Sequence, residues 1–199
     1  TNTLIGTDSN NLLNGKADDD YIDGGGGSDI ILAGAGNDTI VYDEIDKKID
    51  GGTGYDTLQF LRANQTLNFI NNNRLFNVEQ LWLSGGVGHQ VWLTAADIVR
   101  VSDVDQMTIG GDAGGMIYLT DKGWSFAGLT SDGKAKFTNG SASVVATLNI
   151  KIDGFSDNAT ISVPDNIQVT EDTNVSADNT LISNFAVTVT DPNAGQAGL

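Results

Sequence analysis

Six residues spaced nine apart carry the chemistry of this chain: Asn11, Asp20, Asp29, Asp38, Lys47 and Asp56. Four of them are aspartates. A carboxylate is a hard anionic donor, and a row of carboxylates suits a hard cation such as Ca²⁺, which takes six to eight oxygen ligands. Single carboxylates do not fill such a shell, so backbone carbonyls must supply the rest. Glycines precede the aspartates in the right places: Gly24 to Gly27 before Asp29, Gly34 and Gly36 before Asp38, and Gly51, Gly52 and Gly54 before Asp56. They permit tight turns with positive φ and let carbonyls face an ion with no Cβ in the way.

The elements that position this row are legible from a second nine-residue series. Counted in units Gly6–Asn14, Gly15–Asp23, Gly24–Leu32, Ala33–Val41, Tyr42–Asp50 and Gly51–Gln59, the eighth positions are Leu13, Ile22, Ile31, Ile40, Ile49 and Leu58. Each unit therefore reads as a turn followed by a short strand with one aliphatic anchor. Such a strand is too short to fold alone and must stack on its equivalents. A Gly/Asp-rich linker would not need an aliphatic residue at all six eighth positions.

The stretch Gly24-Gly25-Gly26-Gly27-Ser28-Asp29-Ile30-Ile31-Leu32 resembles the RTX nonapeptide repeat, Gly-Gly-x-Gly-x-Asp-x-aliphatic-x. The resemblance implies a parallel β-roll with two units per coil, so that turns two units apart lie over each other and share Ca²⁺. Asp20 would then pair with Asp38, Asp38 with Asp56, and Asn11 with Asp29. Candidate ligands are Asn11, Asp18, Asp20, Asp29, Asp38 and Asp56, with carbonyls from Gly24, Gly25, Gly27, Gly34, Gly36, Gly52 and Gly54. Unit Tyr42–Asp50 has Lys47 in place of the Asp and lacks the glycine turn, so no ion is expected there. Asn11 is a neutral, weaker ligand. About two to four ions are expected in all.

Composition agrees with this reading. Residues 1–60 hold 12 Asp or Glu against 3 Lys, which is −9 of the whole chain's −16. Stacked carboxylates repel one another without cations, so the metal-free repeats are expected to be disordered until metal binds. The acidic balance argues against nucleic acid and against docking on anionic lipid. There is no Cys, hence neither disulfides nor thiolate metal sites. No apolar run approaches membrane-spanning length. Because Thr1-Asn2-Thr3 opens directly into repeats and Ala197-Gly198-Leu199 closes without a finish, the chain reads as a piece of something longer, monomeric in isolation.

The expected fold is all-β. A parallel β-roll over residues 1–60 continues into a β-rich capping and extension region (61–157) packed on the roll, with one short helix at Ala95–Val101, N-capped by Thr94 with Asp97 in the capping-box position. Phe76, Trp82, Trp92 and Trp124 are expected to pack as core or cap residues over the open end of the roll. Trp124 is the best candidate for exposure. Asp103, Asp105 and Asp112 read as turn formers rather than a further calcium site. His89 reads as a loop residue. The order Asn77-Val78-Glu79-Gln80-Leu81-Trp82-Leu83, Leu93-Thr94-Ala95-Ala96-Asp97-Ile98, Ile109-Gly110-Gly111-Asp112-Ala113-Gly114 resembles the segment that follows RTX repeats in large secreted bacterial adhesins.

Residues 158–199 change style. Val163-Pro164-Asp165-Asn166-Ile167-Gln168-Val169-Thr170-Glu171-Asp172-Thr173 and Val187-Thr188-Val189-Thr190-Asp191-Pro192-Asn193-Ala194-Gly195 resemble the opening of a VCBS repeat, an immunoglobulin- or cadherin-like sandwich common in the same adhesins. Glu171, Asp172 and Asp191 are candidate interdomain calcium ligands in a longer protein. No enzyme is expected. One histidine excludes a His-Glu-x-x-His zinc site, there is no Gly-x-Ser-x-Gly elbow, and Ser131-Asp132-Gly133-Lys134 reads as a hairpin turn rather than a phosphate loop. The resemblances together imply a calcium-binding structural module of an extracellular adhesin, exported by type I machinery and folding on Ca²⁺ outside the cell. The alternatives are a module that grips peptide or glycan on a host or neighbouring-cell surface through residues 61–157, and the C-terminal part of a secreted hydrolase.

Overall fold

A computed structural model describes residues 1–69, 73–111, 115–146, 149–153, 169–171 and 179–182. The six units fold as β1 (Thr3–Thr7), β2 (Leu12–Ala17), β3 (Tyr21–Gly25), β4 (Ile30–Ala35), β5 (Thr39–Val41), β6 (Lys48–Thr53) and β7 (Thr57–Phe60). Odd strands stack in one parallel sheet and even strands in another. Residues eighteen apart pair, as in Tyr21 with Thr39 and Ile30 with Lys48, so two units do make one coil. The roll is a parallel β-roll.

The eighth-position aliphatics account for the stacking. Leu4, Ile22, Ile40 and Leu58 are successive register partners on one sheet; Leu13, Ile31 and Ile49 are those on the other. All but the terminal Leu4 and Leu13 are buried. Each fully buried anchor contributes about 1.5–3 kcal/mol.

The described residues between 61 and 153 extend the roll by strand pairing. β8 (Thr66–Asn68), β9 (Leu75–Phe76), β10 (Gln80–Leu83) and β11 (Gln90–Leu93) precede α1 (Ala95–Val101), and β12 (Gln106–Gly111) and β13 (Met116–Leu119) follow it. β10 lies parallel on β7, and β12 on β10, so Leu58, Leu81 and Ile109 prolong the same apolar column. β9 closes the second sheet on β6, while β8, β11 and β13 start a third. The paired spacing rises from eighteen residues to twenty-three (Thr57 with Gln80) and twenty-eight (Gln80 with Thr108). Strand pairing therefore continues after the nine-residue period has ended. The helix carries the expected capping box between Thr94 and Asp97.

Beyond β12 the large sheet continues through a local antiparallel hairpin. β14 (Ser125–Leu129) and β15 (Ala135–Asn139) form an antiparallel hairpin against β16 (Ala142–Ala146), which itself lies parallel on β12. This hairpin prolongs the large sheet and makes β14 its last strand. Its turn holds Gly133 at φ 82°, with Gly133 N–H donating to Thr130 O. β17 (Asn149–Asp153) lies parallel on β13, and beyond it β19 (Asn179–Ile182) and β18 (Val169–Glu171) pair antiparallel. Among the described residues no helix is long and apolar enough to cross a membrane.

The expected packing of the aromatics holds for Trp124 and is corrected for Trp82, with Trp92 packed only in part. Trp124 is buried, because Asp121 Oδ1 accepts its indole N–H at 2.6 Å and leaves nothing polar to expose. Trp82 points outward, since Leu81 and Leu83 take the inward positions of β10. Trp92 is half-buried on the outer face of β11, its ring 3.7 Å from that of Tyr118 and nearly parallel to it. His89 does lie in a loop but is fully buried, edge-on to Phe60.

The turns show one local strain. Lys16 and Asp18 adopt φ 78° and 73°, positions that Gly34 and Gly36 fill in the turn above. A side chain there costs about 1 kcal/mol or more. Lys16→Gly and Asp18→Gly are each expected to stabilise the calcium-loaded chain by roughly 0.5–1 kcal/mol, after the extra entropy of the unfolded glycine is counted. Urea midpoints in excess Ca²⁺ check this, and a fall in midpoint for both variants would contradict it.

Candidate metal centre

Each sixth-position residue sits immediately before a strand, at the point where the turn re-enters the stack. Its side chain then reaches one coil back. Asp38 Oδ1 accepts the Asp20 N–H at 2.7 Å, and Asp56 Oδ1 accepts the Asp38 N–H at 2.8 Å. Asp20 Oδ1 accepts from Asn2 N–H in the same way. On the opposite side Asp29 Oδ1 accepts the Asn11 N–H at 2.7 Å. The pairs expected from the repeat spacing, Asp20 with Asp38, Asp38 with Asp56 and Asn11 with Asp29, are thus brought together.

A second ladder runs the other way and was not foreseen. Asn10 Oδ1 accepts from Ser28 N–H, Asp19 Oδ1 from Asn37 N–H, and Asn37 Oδ1 from Tyr55 N–H. These fifth-position residues are eighteen apart, and that spacing was the available signal. The two ladders lock adjacent turns in both directions.

Only one oxygen of each sixth-position carboxylate is used. Oδ2 of Asp20, Asp29, Asp38 and Asp56 is buried with no hydrogen-bond partner, and so is that of Asp46, a fifth-position residue. Five orphaned carboxylate oxygens in residues no more than 4% exposed demand a positive partner. Backbone oxygens converge on the same points. A Cβ at Gly6, Gly15 or Gly51 would strike the carbonyl oxygen one coil on, from Gly24, Ala33 or Asn77, and would also meet the side-chain oxygen of Asn11, Asp20 or Asp56. Among the described residues no three His, Cys, Asp or Glu side chains converge, so carbonyls must complete the ligand set. Anionic oxygens with backbone carbonyls and no nitrogen or sulfur donor fit Ca²⁺.

Gly25, Gly27, Gly34, Gly36, Gly52 and Gly54 all adopt positive φ and let the turns stack closely. Asp18 takes the fourth position of its turn by backbone alone. Its carboxylate is turned outward, 77% exposed, to the terminal ammonium at 3.3 Å.

Two acidic residues outside the expected set join the ladders. Asp46, one residue before Lys47, is buried and accepts the Asp29 N–H at 3.2 Å. The carboxylate row therefore continues through the fifth unit, seventeen residues on instead of eighteen. The cradle beside it differs, because at Gly24 the three nearest atoms all belong to Asp29, whereas at Gly6, Gly15 and Gly51 a carbonyl oxygen is nearest. Arg74 Nη1 instead binds the carbonyls of Glu44 and Asp46 at 2.7 and 2.8 Å, placing a fixed positive charge in the turn that lacks glycine. Glu79 is the second addition: buried, it accepts the Asp56 N–H at 2.9 Å. Asp103 is exposed; its N–H donates to Glu79 Oε1 at 3.4 Å, and its carboxylate is close enough to add to the rise of Glu79 and Asp56. Asp105 is a turn residue at φ 53°. Asp112, Asp172 and Asp191 and the side chain of Glu171 lie outside the described residues, as does the boundary near residues 157–164.

Burial dominates the electrostatics. It pushes the carboxyls of Asp46 and Asp56 up to about 7, against the opposing pull of the backbone N–H each accepts, and neighbouring carboxylates add to the rise. Asp38 and Glu79 are raised for the same first reason. Without a cation these groups resist ionisation; with one, the charge is compensated.

No curated protein and no solved structure matches the chain. A family model, the RTX calcium-binding nonapeptide repeat (4 copies), matches residues 5–40. Those residues are RTX repeats, and the stacked turns they build are a calcium-binding structural module.

Proposed function

We propose that this chain is a calcium-binding structural segment of a secreted bacterial adhesin, not an enzyme. Its coils stay unfolded at the low calcium of the cytosol, pass type I export machinery as a threadable chain, and fold in the millimolar calcium outside. The observation that carries this reading is the row of buried, unpartnered Asp Oδ2 atoms from Asp20 to Asp56. Ions that bind the folded chain alone stabilise it by mass action, about 2.7 kcal/mol per site at a hundredfold excess over Kd. The adhesin context is supported by the order of motifs over residues 77–114 and by the VCBS-like phrases of the tail.

Calorimetric Ca²⁺ titration with far-UV circular dichroism, against EDTA and Mg²⁺, tests it. Cooperative gain of strand signal with two or more ions is expected, with Kd on the order of 10⁻⁴–10⁻³ M as for extracellular modules. A chain fully folded in EDTA would remove the calcium switch and with it the export argument.

A second reading rests on the outer face. The Trp92–Tyr118 stack on the third sheet offers an aromatic platform of the kind that sugars and peptides use. A glycan or peptide array that detects binding abolished by Trp92→Ala would favour it.

A further inference from the structure

We propose that the row of cation positions does not end with the repeats but closes on a site outside them, formed by Asp56, the carbonyl of Asn77 and Glu79, which takes a divalent cation of the Ca²⁺ class. This rests on the calcium reading of the repeats and extends it to residues that no nonapeptide contains.

Position is the first argument. Glu79 immediately precedes β10, as Asp56 precedes β7 and Asp38 precedes β5. Gln80 and Thr57 are register partners, so the two carboxylates stand one above the other. Glu79 Oε2 accepts the Asp56 N–H at 2.9 Å, the bond that Asp56 makes to Asp38 and Asp38 to Asp20. A glutamate twenty-three residues on thus fills the role that an aspartate fills at eighteen.

The second argument is independent of that row and points to a ligand. Asp56 is fully buried, and its Oδ2 has no partner. The same oxygen and the Asn77 carbonyl both lie against the space where a Cβ of Gly51 would stand. That cradle repeats those at Gly6 with Gly24 and at Gly15 with Ala33, inside the matched repeats. At Gly24 the three nearest atoms all belong to Asp29, and the neighbouring fifth turn is instead held by Arg74 on the Asp46 carbonyl. Asn77 is held for the purpose: it adopts φ 51°, and its Nδ2 donates to Asp50 Oδ1 at 2.8 Å. Asparagine is among the few residues that tolerate this conformation.

The consequence is mechanical. Glu79 Oε1 also accepts from Asp103 N–H in the following coil. An ion here would tie the last repeat to the enlarged coils that continue it, so that calcium ordering of the repeats is transmitted past residue 60.

The test counts ions on the full 199-residue chain by native mass spectrometry and equilibrium dialysis, for wild type, Glu79→Gln and Glu79→Asp. Glu79→Gln is expected to lose one ion, or to weaken one site at least tenfold, with partial recovery in Glu79→Asp. An unchanged count and affinity in Glu79→Gln would overturn the proposal while leaving the repeat sites standing. A wild-type chain that binds no Ca²⁺ would overturn both. If Glu79→Gln fails to fold, the wild type soaked with Tb³⁺ decides. An anomalous peak about 2.3–2.6 Å from Asp56 Oδ2 and the Asn77 carbonyl supports the site, and none there removes it.

Discussion

Asp38→Asn is expected to change sign with calcium, lowering stability when Ca²⁺ is present and raising it in EDTA. Asp38 is almost completely buried, accepts the Asp20 N–H and lies between Asp20 and Asp56 in one carboxylate row. The amide is isosteric and its oxygen keeps the hydrogen bond, so the substitution removes chiefly one negative charge. In excess Ca²⁺ that charge is a ligand. Its loss weakens the sites shared with the turns on either side and costs about 3 kcal/mol for each one emptied. For a domain whose total stability is about 5–15 kcal/mol this is a large fraction. In EDTA the same charge is a liability, buried beside other carboxylates. Thermal melts in Ca²⁺ and the urea dependence of the residual strand signal in EDTA, for both forms, make the comparison. Asp18→Asn, whose carboxylate is exposed, serves as the control and is expected to move neither curve by more than about 0.5 kcal/mol. Destabilisation by Asp38→Asn of equal size with and without calcium would show a purely structural role.

The second large effect is on pH. Asp46 and Asp56 are raised to about 7 by burial, and Asp38 and Glu79 are raised as well. In the unfolded chain these groups titrate near their ordinary values, about 4. Between about pH 4 and 7 the folded metal-free chain therefore binds more protons than the unfolded one. Its stability rises as pH falls through that window and is lost as pH climbs above 7. Calcium reverses the slope, because protons compete for the carboxylates that would hold the ion and affinity falls below pH 7. The residual strand signal in EDTA should be larger at pH 5 than at pH 8. The gain in strand signal on adding Ca²⁺ should be larger at pH 8 than at pH 5. Asp56→Asn should flatten both trends. Parallel pH curves with and without calcium would separate the carboxylates from metal binding.

These expectations draw on residues of unequal legibility. Asp20, Asp29, Asp38 and Asp56 were readable because eighteen residues make every early coil, so linear spacing equals vertical stacking. Asp46 was hidden by a shift of one residue: Lys47 holds the repeat position, but the backbone absorbs the slip and delivers the neighbouring carboxylate. Glu79 was hidden for a related reason. Once coils lengthen to twenty-three and twenty-eight residues, stacking no longer appears as a period, although the sheet runs on. The packing of Trp124 was legible but its polar partner was not: Asp121, which accepts the indole N–H, is identified only by the folded chain.

By itself the amino-acid order determined the nine-residue units, the aliphatic column from Ile22 to Leu58, the carboxylate row and the class of ion that suits it. Those features are local and periodic, and a strand that must stack on its own copy writes its contacts into its spacing. The tertiary structure alone decided where the solenoid stops, which acidic residues replace a missing repeat aspartate, and which aromatic rings face water. Each of these depends on a partner at variable sequence distance, and only the closed coil brings such partners together.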